Sequence, residues 1–377
     1  MAIRAEPLPI DAATGTVSEA ATLRRAALWA LLLSKLIGGW GVQWDIQWHV
    51  LIGRDSFWIP PHLMTYAGVA LTVLISFGIL AWDTARGAGS VRVLGLRSTR
   101  GFHLAAWGIA ITVLAAPFDD FWHRMFGLDV TLWSPPHLLG ILGSVINTLA
   151  CLLIIREVYP AGSLTRLGAM VLAGAMLYGN LHLTVDPSTR IAYLYGGARF
   201  YTLAILSACI LPVALVTTTR LSGRRWAPLA LLVVLIALGA VGQRVATEGF
   251  ARLKPVSVIE QEIAKDPTSP IAVATMMARK EGREPGRTGG LLHRFALIPA
   301  LAMVIVDARR RAVAATAAYA IALFAVLAWL LPARPALAAM APGVGSTALA
   351  LALTVAAGLA GGAAARWLSD SLARSAD

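Results

Sequence analysis

The 377 residues would suffice for two or three soluble domains, yet 58% of them are hydrophobic and 14% charged, with mean hydropathy +0.70. Soluble domains carry roughly 25% charged residues, so that class is excluded and an all-α, polytopic helical membrane protein is expected. The net charge of +12 does not signal nucleic acid, because the arginines fall between apolar runs and form no basic cluster interleaved with aromatics.

In chain order, residues 1–23 read as a polar cytoplasmic tail. Spans are expected over about 26–44, 63–82, 101–118, 138–155, 167–182, 200–217 and 228–242, giving a core of about seven helices within 24–245. Pro60-Pro61 and Pro135-Pro136 open the second and fourth, where a missing N–H costs nothing. The stretch 246–290 reads as an extracytoplasmic loop, and 291–377 as three further helices, for about ten in all. Cys151 and Cys209 both fall inside apolar runs and read as packing residues.

Lysines and arginines set the orientation. With the N-terminus inside, the tails and short loops place 17 of them on the cytoplasmic side and five on the other. The reading is N-in and C-in in a bacterial inner membrane. Of the seven histidines, only His103 then lies at the cytoplasmic face.

One pattern occurs twice at the periplasmic face. Asp45-Ile46-Gln47-Trp48-His49 leads through Gly53 and Asp55 to Trp58-Ile59-Pro60-Pro61-His62, and 74 residues later Asp119-Asp120-Phe121-Trp122-His123 leads through Gly127 and Asp129 to Trp133-Ser134-Pro135-Pro136-His137. Each Asp and first His are four apart and share a helix face; the second His opens the next helix beside them. Two imidazoles and a carboxylate, with coordination positions left open, suit copper, iron or zinc. Asp45, His49, His62, Asp119, His123 and His137 are therefore the candidate metal ligands. Trp44, Trp48, Trp58, Trp122 and Trp133 read as interface aromatics, and Asp55 and Asp129 as turn residues. His182 and Asp186 repeat the four-residue spacing in reverse and are candidate additional ligands. Asp120, Asn180, Glu248 and His293 are weaker candidates. The alternative is a duplicated interface motif holding no metal; ionisable groups near a bilayer are costly, which favours a functional set.

The paired spacing resembles the C subunit of the particulate methane and ammonia monooxygenases, copper-dependent membrane enzymes. That family carries D-x3-H-x12-H and then N-x3-H-x13-H. Asp45, His49 and His62 match the first spacing, and His123 and His137 match the second, over roughly residues 25–155. Asp119 departs from the family's Asn, and nothing in residues 246–377 is matched. The resemblance implies a copper-dependent membrane monooxygenase subunit that oxidises a small apolar substrate with O2 beside partner membrane subunits, one of them cupredoxin-bearing, in an oligomer. The competing expectation is a transition-metal transport or delivery protein that collects ions at the outer face. Such a protein needs polar residues stepping inward through its spans, for which Asn147 is the main candidate. A haem protein with facing histidines is disfavoured because these histidines sit at helix ends.

Overall fold

The computed structural model describes residues 19–53, 56–126, 132–185, 189–285 and 295–376. Eight helices are long and apolar enough to cross a membrane by length and composition, which marks the chain as an integral membrane protein.

The first hairpin pairs α1 (Glu19–Leu51) with α2 (Pro60–Ala85), and the second pairs α3 (Arg100–Phe126) with α4 (Pro135–Val158). Both returning helices start on their Pro-Pro pair, as the sequence implied. The basic stretch between the hairpins is not a plain loop. It folds into β1 (Val91–Val93) and β2 (Leu96–Ser98), paired antiparallel with Arg92 opposite Arg97. Leu94 and Gly95, both at positive φ, supply the tight turn such a ribbon needs. A buried network pins this end: Arg24 pairs with the enclosed Asp83 at 2.8 Å, and Ser98 donates to the same carboxylate.

Within each hairpin, small residues let the backbones approach, the usual device where apolar surface gives helices no preference for each other over lipid. A side chain at Gly68 would come within 2.5 Å of the Gly38 nitrogen, while Ser34 and Thr72 share a 2.8 Å hydroxyl hydrogen bond across the seam. In the second hairpin a side chain at Gly143 would meet Thr112 Oγ1 at 2.5 Å and the Gly108 carbonyl at 2.6 Å.

The rest of the chain packs around these hairpins. Helix α5 (Leu164–Leu183) starts at Ser163, whose hydroxyl accepts from the Arg166 N–H. Two 3-10 turns, Arg190–Tyr195 and Gly197–Tyr201, lead into α6 (Thr202–Ile210) and α7 (Pro212–Ser222), separated where Pro212 removes a helical donor. Then come α8 (Ala227–Leu253), α9 (Ile259–Lys265), α10 (Pro270–Lys280), α11 (Leu297–Val306), α12 (Ala312–Leu330) and α13 (Val344–Ala376). Gly197–Ser222 counts as one of the eight candidate spans; α5 and the ten-residue α11 are not among them.

Helix ends depart from expectation where polar residues interrupt an apolar run. The span expected to end near 242 continues as α8 to Leu253, with Gln243 and Gly249 turned to α1 and Arg244, Thr247, Glu248 and Arg252 exposed. Gln243 Nε2 donates to Gln47 Oε1 at 3.0 Å, Gln43 Nε2 donates to the Gly239 carbonyl at 3.1 Å, and bare Gly249 admits the Trp44 ring. The stretch 246–290 accordingly holds the end of α8 and two short helices, α9 and α10, among its described residues. Helix α1 likewise begins at Glu19, inside the expected tail, and α3 runs through Pro117 to Phe126.

Candidate metal centre

The first set assembles at one end of the α1–α2 hairpin. Asp45 and His49 lie on successive turns of α1, and their side chains meet with His49 Nδ1 3.4 Å from Asp45 Oδ1. The same nitrogen also lies 3.0 Å from the Asp45 carbonyl oxygen. Gly53, at φ +75°, turns the chain, and its missing side chain leaves room for the Ile259 backbone. Pro60-Pro61 then place His62 in the first turn of α2 with Nε2 3.1 Å from the same Asp45 oxygen. One enclosed carboxylate oxygen is thus approached by two imidazoles, with ring centres 6.3 Å apart.

A wall stands beside this set. Trp44 and Trp48, expected among the interface aromatics, are buried against Phe250, Ile52, Ile59 and Ala246. Trp48 stacks on Phe250 at 5.7 Å, so the end of α8 draws both indoles inward. The following segment is tied to the loop itself: Val258 N donates to the Ile52 carbonyl at 2.7 Å and Ser257 Oγ to the Leu51 carbonyl at 2.6 Å.

The second set forms at the equivalent end of α3–α4. His137 Nε2 lies 3.4 Å from Asp119 Oδ1, which is also enclosed. His123 sits on the last turns of α3, but its side chain lies outside what the structure describes, as do Asp55, Asp129, Asp186 and His293. Asp119 and His137 are 31% and 30% exposed, against 23% and 20% for Asp45 and His62. Phe121, Met125, Phe126 and Trp133 are exposed around them, as is Trp58 at the first loop. Trp133 anchors the second loop by donating from Nε1 to the Thr184 carbonyl at 2.7 Å.

Among the described residues, no group of three or more His, Cys, Asp or Glu side chains is already arranged to hold an ion. The first set closes on its own carboxylate instead. Among the described residues, the remaining candidates have other partners. His182 stacks on Tyr178 at 6.2 Å; Asp120 pairs with Arg124 and Glu248 with Arg252 on exposed surface. Asn180 donates to Ser144 Oγ and Thr148 Oγ1 at 3.1 and 3.0 Å. Both cysteines are free. His103 packs at the opposite end, against the Val91 carbonyl.

A residue overlooked in the sequence lies deeper. Lys35 of α1 extends its amine to the Ser144 carbonyl, 3.4 Å away, beside the polar group of Ser144, Asn147, Thr148 and Asn180. Among the described residues no carboxylate pairs with it. A lone lysine inside an apolar run was the available signal.

The helices and this face define the class, an integral membrane protein with histidine–carboxylate sets at one end of two hairpins. Compared with protein-family models, curated proteins and solved structures, the chain matches none.

Proposed function

We propose that the chain is a copper-binding membrane subunit akin to the C subunit of the particulate monooxygenases, serving oxidation of a small apolar substrate by O2. The observation that carries this reading is a shared register. Adding 74 to an α1 position and 75 to an α2 position converts the contacts of the first hairpin into those of the second. Gly68 against Gly38 and Ser34 becomes Gly143 against Thr112 and Gly108, and Gly41 against Thr65 becomes Ala115 against Gly140. The ligand-type residues lie on the same register, which supports a duplicated hairpin unit carrying a site in each copy.

The donor set fits such a metal. Two imidazoles and one carboxylate are borderline ligands for copper, iron or zinc. The 3.1 and 3.4 Å separations from Asp45 Oδ1 also resemble the roughly 3.3 Å between neighbouring ligands on a tetrahedral ion with bonds near 2.0 Å. Asp45, His49 and His62 would hold one ion, and Asp119, His123 and His137 a second; bound copper would supply redox change and open positions for O2. The protein's own part is to hold the ligands on two rigid helices, to give the carboxylate that offsets the ion's charge, and to shut water out with Trp44, Trp48 and Phe250. Counting α5 and α11, the helices make ten crossings with alternating direction. On the arginine distribution, both sites then face the periplasm of a bacterial inner membrane. The exposed aromatics near the second site offer a face to partner subunits, cupredoxin-bearing ones among them.

Ion transport is the second reading, and Lys35 weighs against it. A dication passing about 5 Å from an ammonium at an effective dielectric of 20 is opposed by about 7 kcal/mol. The polar group around Asn147, the main candidate for an inward step, is the place where Lys35 sits.

The test is metal analysis with EPR on protein purified in native lipid, alongside His62→Ala and His137→Ala. Near-stoichiometric Cu(II), reduced in each variant, is expected. No bound transition metal in the wild type sinks the proposal; zinc alone sinks the oxygenase part of it.

A further inference from the structure

The end of the molecule opposite the candidate metal centre carries a cleft between α7, the turn before α12, and α13. It encloses about 130 Å3 and is lined by Arg220, Leu221, Arg309, Ser369, Asp370 and Ala373. Two guanidiniums stand in its wall, each already committed to a carboxylate. Arg220 pairs with Asp370, and Arg309 holds Asp307 through Nε and Nη2 at 2.9 and 2.7 Å. Arg309 also donates to the Gly223 carbonyl at 3.0 Å, which ties the turn after α7 to the turn before α12. Two exposed pairs, Arg224-Arg225 and Arg310-Arg311, follow directly on the two turns so joined. Arg366 reaches Asp370 at 3.8 Å from the third side.

Among the described residues, the two joined turns and the facing side of α13 thus carry seven arginines (220, 224, 225, 309, 310, 311 and 366) and two aspartates (307 and 370), an excess of positive charge around this cleft. Like charges so gathered repel one another unless an anion is supplied. Two exposed tryptophans indicate which anion. Trp226 opens α8 beside it, 42% exposed, and Trp367 stands on α13, 69% exposed. Exposed indoles at the ends of membrane helices sit at the headgroup level, where an aqueous phosphate is less concentrated than a lipid one. Leu221 and Ala373 give the cleft an apolar side, as an acyl-glycerol linkage requires.

We propose that this cleft seats the phosphate of an anionic glycerophospholipid, with Arg310, Arg311, Arg224 and Arg225 as its rim and the Arg220–Asp370 pair as its floor. The inference is independent of the metal reading. Asp370 acts as a built-in competitor, holding Arg220 until a lipid phosphate displaces it.

The full-length protein, delipidated in detergent, is titrated with short-chain phosphatidylglycerol or phosphatidylcholine and read by native mass spectrometry. Phosphatidylglycerol is expected to bind about tenfold better, and Arg310→Gln/Arg311→Gln to lose most of that preference. Arg86→Gln/Arg92→Gln, which removes as much charge from the other basic loop at this end, is expected to keep it. Asp370→Asn is expected to bind phosphatidylglycerol more tightly than wild type, an outcome that a merely structural aspartate does not produce. Equal losses in the two double variants, equal binding of both lipids, or weaker binding by Asp370→Asn would each overturn the proposal. Displacement of phosphatidylglycerol by millimolar inorganic phosphate, but not by chloride at the same ionic strength, would replace it with a site for free phosphate.

Discussion

The two hairpins carry the same Asp, His and His residues in the same register and differ in what stands beside them. The first has α8 against its flank, two buried indoles, and the segment after α8 hydrogen-bonded to its loop. The second has exposed Phe121, Met125, Phe126 and Trp133 around a more accessible Asp–His pair. A duplication, as proposed, would copy ligand-type residues along with the small residues that bring the helices together, because both lie within the hairpin. It cannot copy a wall supplied by a helix that occurs once. Equal residues thus need not mean equal surroundings: on the proposed reading, the first set would retain an ion and the second would exchange one or meet a partner.

The largest test of this contrast is removal of a ligand. Asp45→Ala or His62→Ala is expected to weaken the first site's copper by at least about 100-fold while leaving the second occupied, and His137→Ala to do the reverse. Plasma mass spectrometry should count about one ion per chain lost in each case, and simultaneous loss of both would mean one shared cluster. Next in size, Gly68→Leu and Gly143→Leu force a side chain into backbone contact, costing about 1–3 kcal/mol. Thermal unfolding should fall in both, but each should release copper from its own hairpin only. Smaller again is Phe250→Leu, which thins the wall: chelator extraction from the first site should quicken about tenfold, towards the rate of the second. An unchanged rate would show that the aromatic wall does not control access.

The smallest effect concerns the far anchor of the covering segment. Glu281 is largely enclosed; burial alone would raise its pKa, but Arg334 and Arg283 outweigh that and hold it below the usual carboxylate range. A carboxylate with a depressed pKa stabilises the fold above its unfolded value, about 4.3, and ceases to do so as pH falls through its folded value. Arg334→Met should therefore cost under about 1 kcal/mol at neutral pH, and the difference from wild type should shrink as acidification carries Glu281 through its depressed folded pKa. A difference that does not change with pH would assign the effect to packing.

The membrane class, the Pro-Pro starts of α2 and α4, and the meeting of Asp45, His49 and His62 were legible in the sequence. Each follows from a local rule of composition, proline geometry or helical spacing. What was not legible depends on partners distant in the chain. Gln243 and Gly249 read as the end of an apolar run until Gln47 and Trp44 are placed against them. Trp44 and Trp48 look like interface residues until α8 covers them. The alternation in Val91–Ser98 about Leu94-Gly95 was a readable hairpin signal, obscured by Arg92 and Arg97. Lys35 was readable too, as a charge where a span should have none.

The contact between Gly38 and Gly68 has a thermodynamic consequence. Backbones that touch leave no side chains to repack, so α1 and α2 cannot slide apart when the charge between them changes. His49 and His62 then stay near each other whether or not an ion is present, and the entropy of gathering the ligands is met at folding and not at binding. Metal capture should therefore release heat with little change in heat capacity, the signature of a chelator assembled before its guest arrives.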